Sequence, residues 1–128
     1  MRRLTDPKSA PAVDRPAVLT KATLRAASLL GVTNKVLAKV LGLSEATVSR
    51  MQNGKYTLHP EEKAFELAVL FVRLYRSLDA IVGGDDAVAA SWLKNRNTAL
   101  DAEPLTLIQS ASGLMNAIAY LDARRAVV

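Results

Sequence analysis

Apolar residues along most of the chain recur every three or four positions, which is the spacing of one face of a helix. The pattern predicts helices at residues 17–30, 34–41, 45–52, 59–82, 85–93 and 105–111, and a last helix from Leu114 that frays after Leu121. No stretch alternates between apolar and polar residues for long enough to predict a strand. The sequence therefore predicts an all-α protein.

Glycine and proline mark the expected ends of these helices. Gly31 and the pair Gly83–Gly84 follow apolar runs and predict helix stops. The sequence His59-Pro60-Glu61-Glu62 predicts a helix start, with proline in the first turn and acids near the positive end of the dipole. Pro104 predicts another start, and Gly113 is expected to separate the last two helices.

The helix predicted at residues 59–82 is the longest, and it is apolar on more than one face. A helix of this kind is buried on two sides. We expect it to connect the two halves of the chain and to offer a possible dimer contact.

Three parts are predicted along the chain. Residues 1–16 contain three prolines and few large apolar residues, which is typical of a flexible arm, here a basic one. Residues 17–58 form the first helical domain, and residues 59–128 form the second.

Residues 34–55, NKVLAKVLGLSEATVSRMQNGK, have the pattern of a helix-turn-helix. Ala38 is small where two helices must cross closely, and Gly42 can end the first helix in a left-handed conformation. Leu43 turns inward, and Ser44 can cap the second helix. The shared core is expected to contain Leu37, Leu41, Val48 and Met51. The alternative is an ordinary helical hairpin with a glycine cap.

The second helix of this unit carries short or polar side chains, as a surface entering the major groove of DNA needs. Arg50 can pair with guanine, Glu45 can accept from cytosine, and the methyl groups of Ala46 and Thr47 can touch thymine. Glu45 is equally explained as a carboxylate favoured by the helix dipole. The predicted DNA-binding residues are Ser44, Glu45, Ala46, Thr47, Ser49, Arg50, Asn53 and Lys55.

Charge is unevenly distributed between the halves. Residues 1–60 hold ten basic and three acidic residues, a net charge of +7, whereas residues 61–128 hold seven basic and nine acidic residues, a net charge of −2. This asymmetry indicates a half that faces nucleic acid, although a solvated basic face would look the same.

Composition excludes several other classes of protein. The chain has no cysteine, so disulfides and thiolate metal sites are impossible. The two N-terminal arginines are not followed by the apolar stretch of a signal peptide. The most apolar run is residues 67–72, whereas a helix needs about 20 apolar residues to span a membrane. No cluster of catalytic or metal-binding residues is present, and His59 is alone. We expect a cytoplasmic binding protein, with neither enzyme activity nor a cofactor.

The pattern SxxTVSRxxNGK at residues 44–55 resembles the Xre and phage-repressor class of helix-turn-helix domains. This resemblance implies that the helix starting near Ser44 is the recognition helix. It also implies binding as a dimer to two half-sites about one helical turn apart.

Residues 65–121 resemble the C-terminal toxin-binding domain of the Xre/MbcA/ParS antitoxin family. The resemblance rests on Trp92-Leu93, Asn97 and Pro104-Leu105 in the order and spacing of that family. Two positions depart from the pattern: Arg96 replaces the usual proline, and 101–103 (Asp-Ala-Glu) replace a small residue. From the residues alone, Trp92 is expected in the core, Asn97 as a loop cap and Pro104 as a helix start.

The resemblance implies a protein partner, because antitoxins of this family are encoded with RES-domain toxins, enzymes that consume NAD. It implies neutralisation by direct binding, often with the C-terminal end blocking the active-site cleft of the toxin. The residues expected to bind the toxin are Leu121, Arg124, Arg125, Val127 and Val128. A frayed basic tail is the alternative for this segment.

Two functions therefore remain open. One is an antitoxin that sequesters a RES toxin and represses its own operon by binding operator DNA, as a homodimer within a larger complex. The other is a plain dimeric repressor whose second half only dimerises. A small enzyme subunit or adaptor is disfavoured by the complete helix-turn-helix.

Overall fold

A computed structural model describes the backbone of residues 14–127 and the side chains of residues 14–126. Most of the predicted arm, residues 1–13, lies outside the described residues. The described part contains seven helices: α1 (Arg15–Leu30), α2 (Asn34–Leu41), α3 (Glu45–Gln52), α4 (Lys63–Ile81), α5 (Asp86–Lys94), α6 (Pro104–Leu107) and α7 (Ala111–Val127). Within residues 14–127 there is no strand, only an isolated bridge between Asn97 and Ala102. The all-α prediction is confirmed.

Helix α4 lies at the centre of the molecule and packs against α1, α2, α5 and α7. Its apolar side chains are buried on several sides, as its sequence pattern predicts. Phe71, in the middle of this helix, is completely buried. It belongs to one cluster of buried side chains that also contains Leu37 from the first half and Leu93 from the second. The helix-turn-helix and the second half therefore share a core.

The starts of α1 and α4 differ from the prediction for reasons that the structure shows. Helix α1 begins at Arg15 rather than at residue 17, because the Asp14 carboxylate caps it by accepting from the Ala17 N–H at 3.1 Å. Helix α4 begins at Lys63, so Pro60 lies in the turn before it rather than in its first turn. That turn is held by Glu62, which accepts hydrogen bonds at 2.9 Å from the Tyr56 hydroxyl and the His59 N–H.

The expected break at Gly113 is wrong. Helix α6 ends at Leu107, and α7 begins at Ala111 and runs through Gly113. Gly113 is needed for a close approach rather than for a break, because a Cβ at this position would lie 2.0 Å from the carbonyl oxygen of Leu107. The last turn of α7 also extends beyond the predicted fraying point, to Val127.

Replacing Gly113 with alanine is expected to destabilise the protein. Glycine to alanine inside a helix usually stabilises by up to about 1 kcal/mol. Here the clash with the Leu107 carbonyl reverses the sign, and forced backbone shifts of this kind cost about 1–3 kcal/mol. Urea unfolding followed by circular dichroism measures the loss. Ser112→Ala, at an exposed position in the same turn, is the control. A gain in stability for Gly113→Ala would contradict the assignment.

Candidate functional site

The turn between α2 and α3 has the geometry that the sequence predicts. Gly42 adopts the left-handed conformation, with φ of 71°. The Leu43 N–H donates to the Ala38 carbonyl at 2.9 Å, which closes the end of α2. Ala38 is buried, and Leu43 packs partly buried against the core. The small, glycine and apolar positions of the predicted helix-turn-helix therefore have the expected roles.

Helix α3 is held against the core by apolar contacts, and its first turn is capped. Val48 and Met51 are buried with Leu37 and Leu41, as predicted. The Ser44 hydroxyl accepts from the Thr47 N–H at 3.1 Å and so caps the helix.

The opposite side of α3 faces solvent. Ser44, Glu45, Ala46 and Arg50 are exposed, and Thr47 and Ser49 are partly exposed. The predicted base-reading residues thus lie together on one surface of the helix. This is the arrangement in which a recognition helix enters the major groove.

Arg50 is oriented within this surface. Its guanidinium donates to the Thr47 hydroxyl at 3.0 Å, and that hydroxyl lies 2.9 Å from the Ser44 hydroxyl. The side chain therefore leans toward the start of α3, the end that contacts base edges in helix-turn-helix proteins. A guanidinium has five N–H donors, so the others can pair with a guanine.

The end of α3 presents further donors. The Lys55 N–H donates to the Arg50 carbonyl at 2.8 Å, and the Gly54 N–H donates to Met51 at 3.1 Å. This pair of bonds is the Schellman termination of a helix. It leaves Asn53 and Lys55 exposed beside the recognition surface, where phosphate contacts are expected.

Two residues of this unit were not predicted. The side-chain amides of Asn34, at the start of α2, and Gln52, at the end of α3, form a reciprocal pair at 3.1 and 2.8 Å. The pair fixes the angle between the two helices at their solvent side. Neither residue type is diagnostic at its position, and the contact depends on the crossing angle, so the sequence carried no signal for it.

Every basic residue of the described part of the first half is exposed, namely Arg15, Lys21, Arg25, Lys35, Lys39, Arg50 and Lys55. In residues 14–58 the only acidic residues are Asp14 and Glu45. The positive field that results attracts phosphate. Fold, exposed α3 surface and charge together define a helix-turn-helix DNA-binding protein.

In the second half, the two departures from the family pattern contact each other. Arg96 forms an ion pair with Asp101, and the Asn97 N–H donates to the Ala102 carbonyl at 3.0 Å. Asn97 also accepts from the Leu100 N–H at 3.0 Å, so its predicted loop-capping role is confirmed. The substituted residues thus close the loop against itself, and Pro104 starts α6 as expected.

Trp92 lies at the edge of the core rather than wholly inside it. Its ring is partly buried and stacks on Tyr120 of α7, with centroids 6.3 Å apart and planes inclined by 16°. The Arg124 guanidinium lies 5.8 Å from the centre of the Tyr120 ring. These three side chains connect α5 to the last turns of α7.

The residues predicted to bind the toxin have different environments. Leu121 is 1% exposed and belongs to the core, so its side chain offers no surface to a partner. Arg124 and Arg125 are exposed. Val128 and the side chain of Val127 lie outside the described residues. Only the two arginines of the predicted set are therefore placed on the surface.

A polar network joins α4 to α7 beside these arginines. The Asp122 carboxylate accepts from Arg73 at 2.5 Å and from the buried Ser77 hydroxyl at 3.0 Å. The Arg125 guanidinium donates to the same hydroxyl at 3.1 Å. Burial is the largest single influence and disfavours the charged carboxylate, but the bonds from Ser77 and Arg73 and the two positive charges outweigh it. The pKa of Asp122 is lowered as a result.

This lowered pKa predicts a pH-dependent contribution to stability. The folded protein binds the Asp122 proton less tightly than the unfolded chain, whose aspartates have a pKa of about 3.9. The contribution is therefore present above about pH 4 and is lost as the pH falls through the lowered pKa of the folded state.

We expect Asp122→Asn to destabilise by about 1 kcal/mol at pH 7, since the carboxylate is partly exposed. The deficit should shrink toward pH 3. Thermal unfolding across this range tests the expectation, with Glu66→Gln on the exposed face of α4 as control. A deficit that does not change with pH would rule out the ionic contribution of Asp122.

Comparison with known families agrees with this geometry. Residues 9–73 match the antitoxin Xre-like helix-turn-helix domain, and residues 77–126 match the antitoxin Xre/MbcA/ParS C-terminal toxin-binding domain. The chain belongs to the Xre family of antitoxins. No curated protein matches the chain. The boundary between the two matches falls inside α4, the helix that carries the shared core.

The family assignment settles the general class of the chain. The chain carries a DNA-binding and a toxin-binding domain. Neither family is enzymatic, so the prediction of a binding protein is confirmed. In residues 14–127 none of the helices is long and apolar enough to cross a membrane.

Proposed function

We propose that this chain neutralises a RES-domain, NAD-consuming toxin by direct binding and represses its own operon through the helix-turn-helix. The proposal rests on two consecutive family matches, a helix-turn-helix domain and a toxin-binding domain, whose residues share one core. The choice of a RES toxin follows from the resemblance of residues 65–121 to the Xre/MbcA/ParS family, whose antitoxins are encoded with such toxins. A plain repressor would have no use for a second domain of this family.

Co-purification tests the toxin partner. The chain is expressed with the product of the neighbouring gene, and only one of the two carries an affinity tag. We expect a stable complex with a RES-domain protein. Elution of the chain without a partner, together with an intact ability to bind operator DNA, would support the plain repressor.

Operon repression is proposed to require a homodimer, because half-sites one helical turn apart need two α3 helices. Light scattering on the purified chain and on its complex gives the stoichiometry. A chain that stays monomeric on DNA with a single half-site footprint would contradict the dimer.

The segment after Ala123 is proposed to block the active-site cleft of the toxin, with Arg124 and Arg125 pairing with carboxylates there. Ending the chain after Ala123 tests this idea better than ending it after Leu121, because it keeps the Asp122 bonds to α4. We expect the shortened chain to bind the toxin more weakly and, even when the complex is saturated, to leave the toxin active. Full protection of toxin-expressing cells would show that the segment does not block the cleft.

A further inference from the structure

A groove of about 950 Å³ lies between α1, α4 and α7. We call it the α1–α4–α7 groove. Its apolar surface includes Val18 and Leu19 of α1 and Val69 and Val72 of α4. Val18 is 56% exposed and Val69 is 44% exposed, although both belong to a residue type that prefers burial. Two exposed apolar side chains of the described residues therefore line the same groove.

Arginines line the groove beside this apolar surface, and we call them its rim. The lining includes Arg15, Arg73, Arg76 and Arg125, and Asp122 is the only acidic residue among the described residues that line the groove. Asp122 is already bonded to Arg73 and Ser77. Within residues 14–126, Arg15 and Arg76 form no ion pair. The groove thus combines an apolar surface with charged side chains whose net charge is positive.

The charge of the rim distinguishes the possible occupants. The segment at residues 1–13 holds Arg2, Arg3 and Lys8 against Asp6, so its charge is of the same sign as the rim. A second copy of this chain, packed symmetrically on the same surface, would bring two arginine rims together. An acidic, amphipathic segment satisfies both parts of the groove, since its apolar face covers the valines while its carboxylates pair with the arginines.

The position of the groove indicates which protein supplies that segment. One of its sides, with Ser77, Asp122 and Arg125, belongs to the residues that match the toxin-binding domain. We propose that the α1–α4–α7 groove binds an acidic, amphipathic segment of the toxin. This inference rests on the proposed function, and it places part of the toxin-binding surface on α1 of the DNA-binding half.

Charge reversal at the rim tests the inference. Arg76→Glu is made in the full chain, and Lys39→Glu, an exposed position on α2 outside the groove, is the control with the same charge change. Binding of each variant to the purified toxin is measured by calorimetry, after thermal unfolding has shown that both are folded. We expect Arg76→Glu to weaken binding by at least about tenfold, because like charges oppose each other across an interface. Lys39→Glu should bind as the unmodified chain does.

A second measurement identifies the occupant directly. A photoreactive residue replaces Val69, and a matched chain carries it in place of Val88, which is 49% exposed on α5 and lies outside the groove. Mass spectrometry of the cross-linked complex is expected to join position 69, and not position 88, to a toxin segment rich in Asp and Glu. Cross-links from position 69 to a second copy of this chain, or to a basic toxin segment, would overturn the inference.

The two proposals fail in different ways. If the unmodified chain does not bind the toxin, the proposed function and the groove assignment both fall. If the unmodified chain binds and Arg76→Glu binds equally well, only the groove assignment falls.

Discussion

Phe71→Ala is expected to lower the free energy of unfolding by about 3–5 kcal/mol, the usual cost of deleting a buried phenylalanine. Phe71 is completely buried in the middle of α4, within the cluster shared by both halves. Because small domains are stable by only about 5–15 kcal/mol, this loss is large. The shared core further predicts that both halves unfold together.

Two spectroscopic probes of urea unfolding test the loss of stability and the joint unfolding of the two halves. The fluorescence of Trp92, the only tryptophan, reports on the second half, and circular dichroism reports on all helices. We expect coincident transitions for the unmodified chain and for Phe71→Ala. Val69→Ala, at an exposed position on the same helix, should shift the midpoint little. A Trp92 transition that moves while the rest of the helical signal does not would contradict a shared core.

Arg50→Ala is expected to weaken operator binding by about 1–3 kcal/mol, or about 5- to 150-fold, with little effect on random DNA. The reason is that the guanidinium of Arg50 is held on the exposed surface of α3, where we expect base edges to be read. Lys55→Ala, in contrast, should weaken binding to all sequences alike and reduce the salt dependence, because Lys55 lies just after the end of α3, where we expect phosphate contacts.

Binding of both variants to DNA from upstream of the gene, and to random DNA of equal length, is measured at several salt concentrations. Lys63→Ala, exposed at the start of α4 and outside the helix-turn-helix, is the control. Equal losses for Arg50→Ala on the two DNAs would contradict the assignment of α3 as the recognition helix.

The helix-turn-helix was predictable because each of its requirements is local. Gly42 needs a left-handed conformation and Ser44 needs to cap a helix, and both needs follow from neighbouring residues. The pairing of Asn34 with Gln52 was not predictable, because it depends on how two helices cross.

Errors in the second half have the same origin. Glycine often ends a helix, so the sequence predicts a break at Gly113. Its actual role is set by the nearby Leu107 carbonyl, and that contact arises only from the packing of α6 on α7. Leu121 was assigned to a partner, whereas the packing of α7 buries it. The α1–α4–α7 groove is formed by helices that are far apart in sequence, so no single stretch of the chain indicates it.

We propose that this chain protects cells against a toxin that consumes NAD. Cellular NAD, measured after induction of the neighbouring toxin gene with and without this chain, tests it most directly. We expect NAD to collapse when the toxin is expressed alone and to stay at its normal level when this chain is present. Collapse of NAD despite the chain, or a toxin that never lowers NAD, would contradict the account.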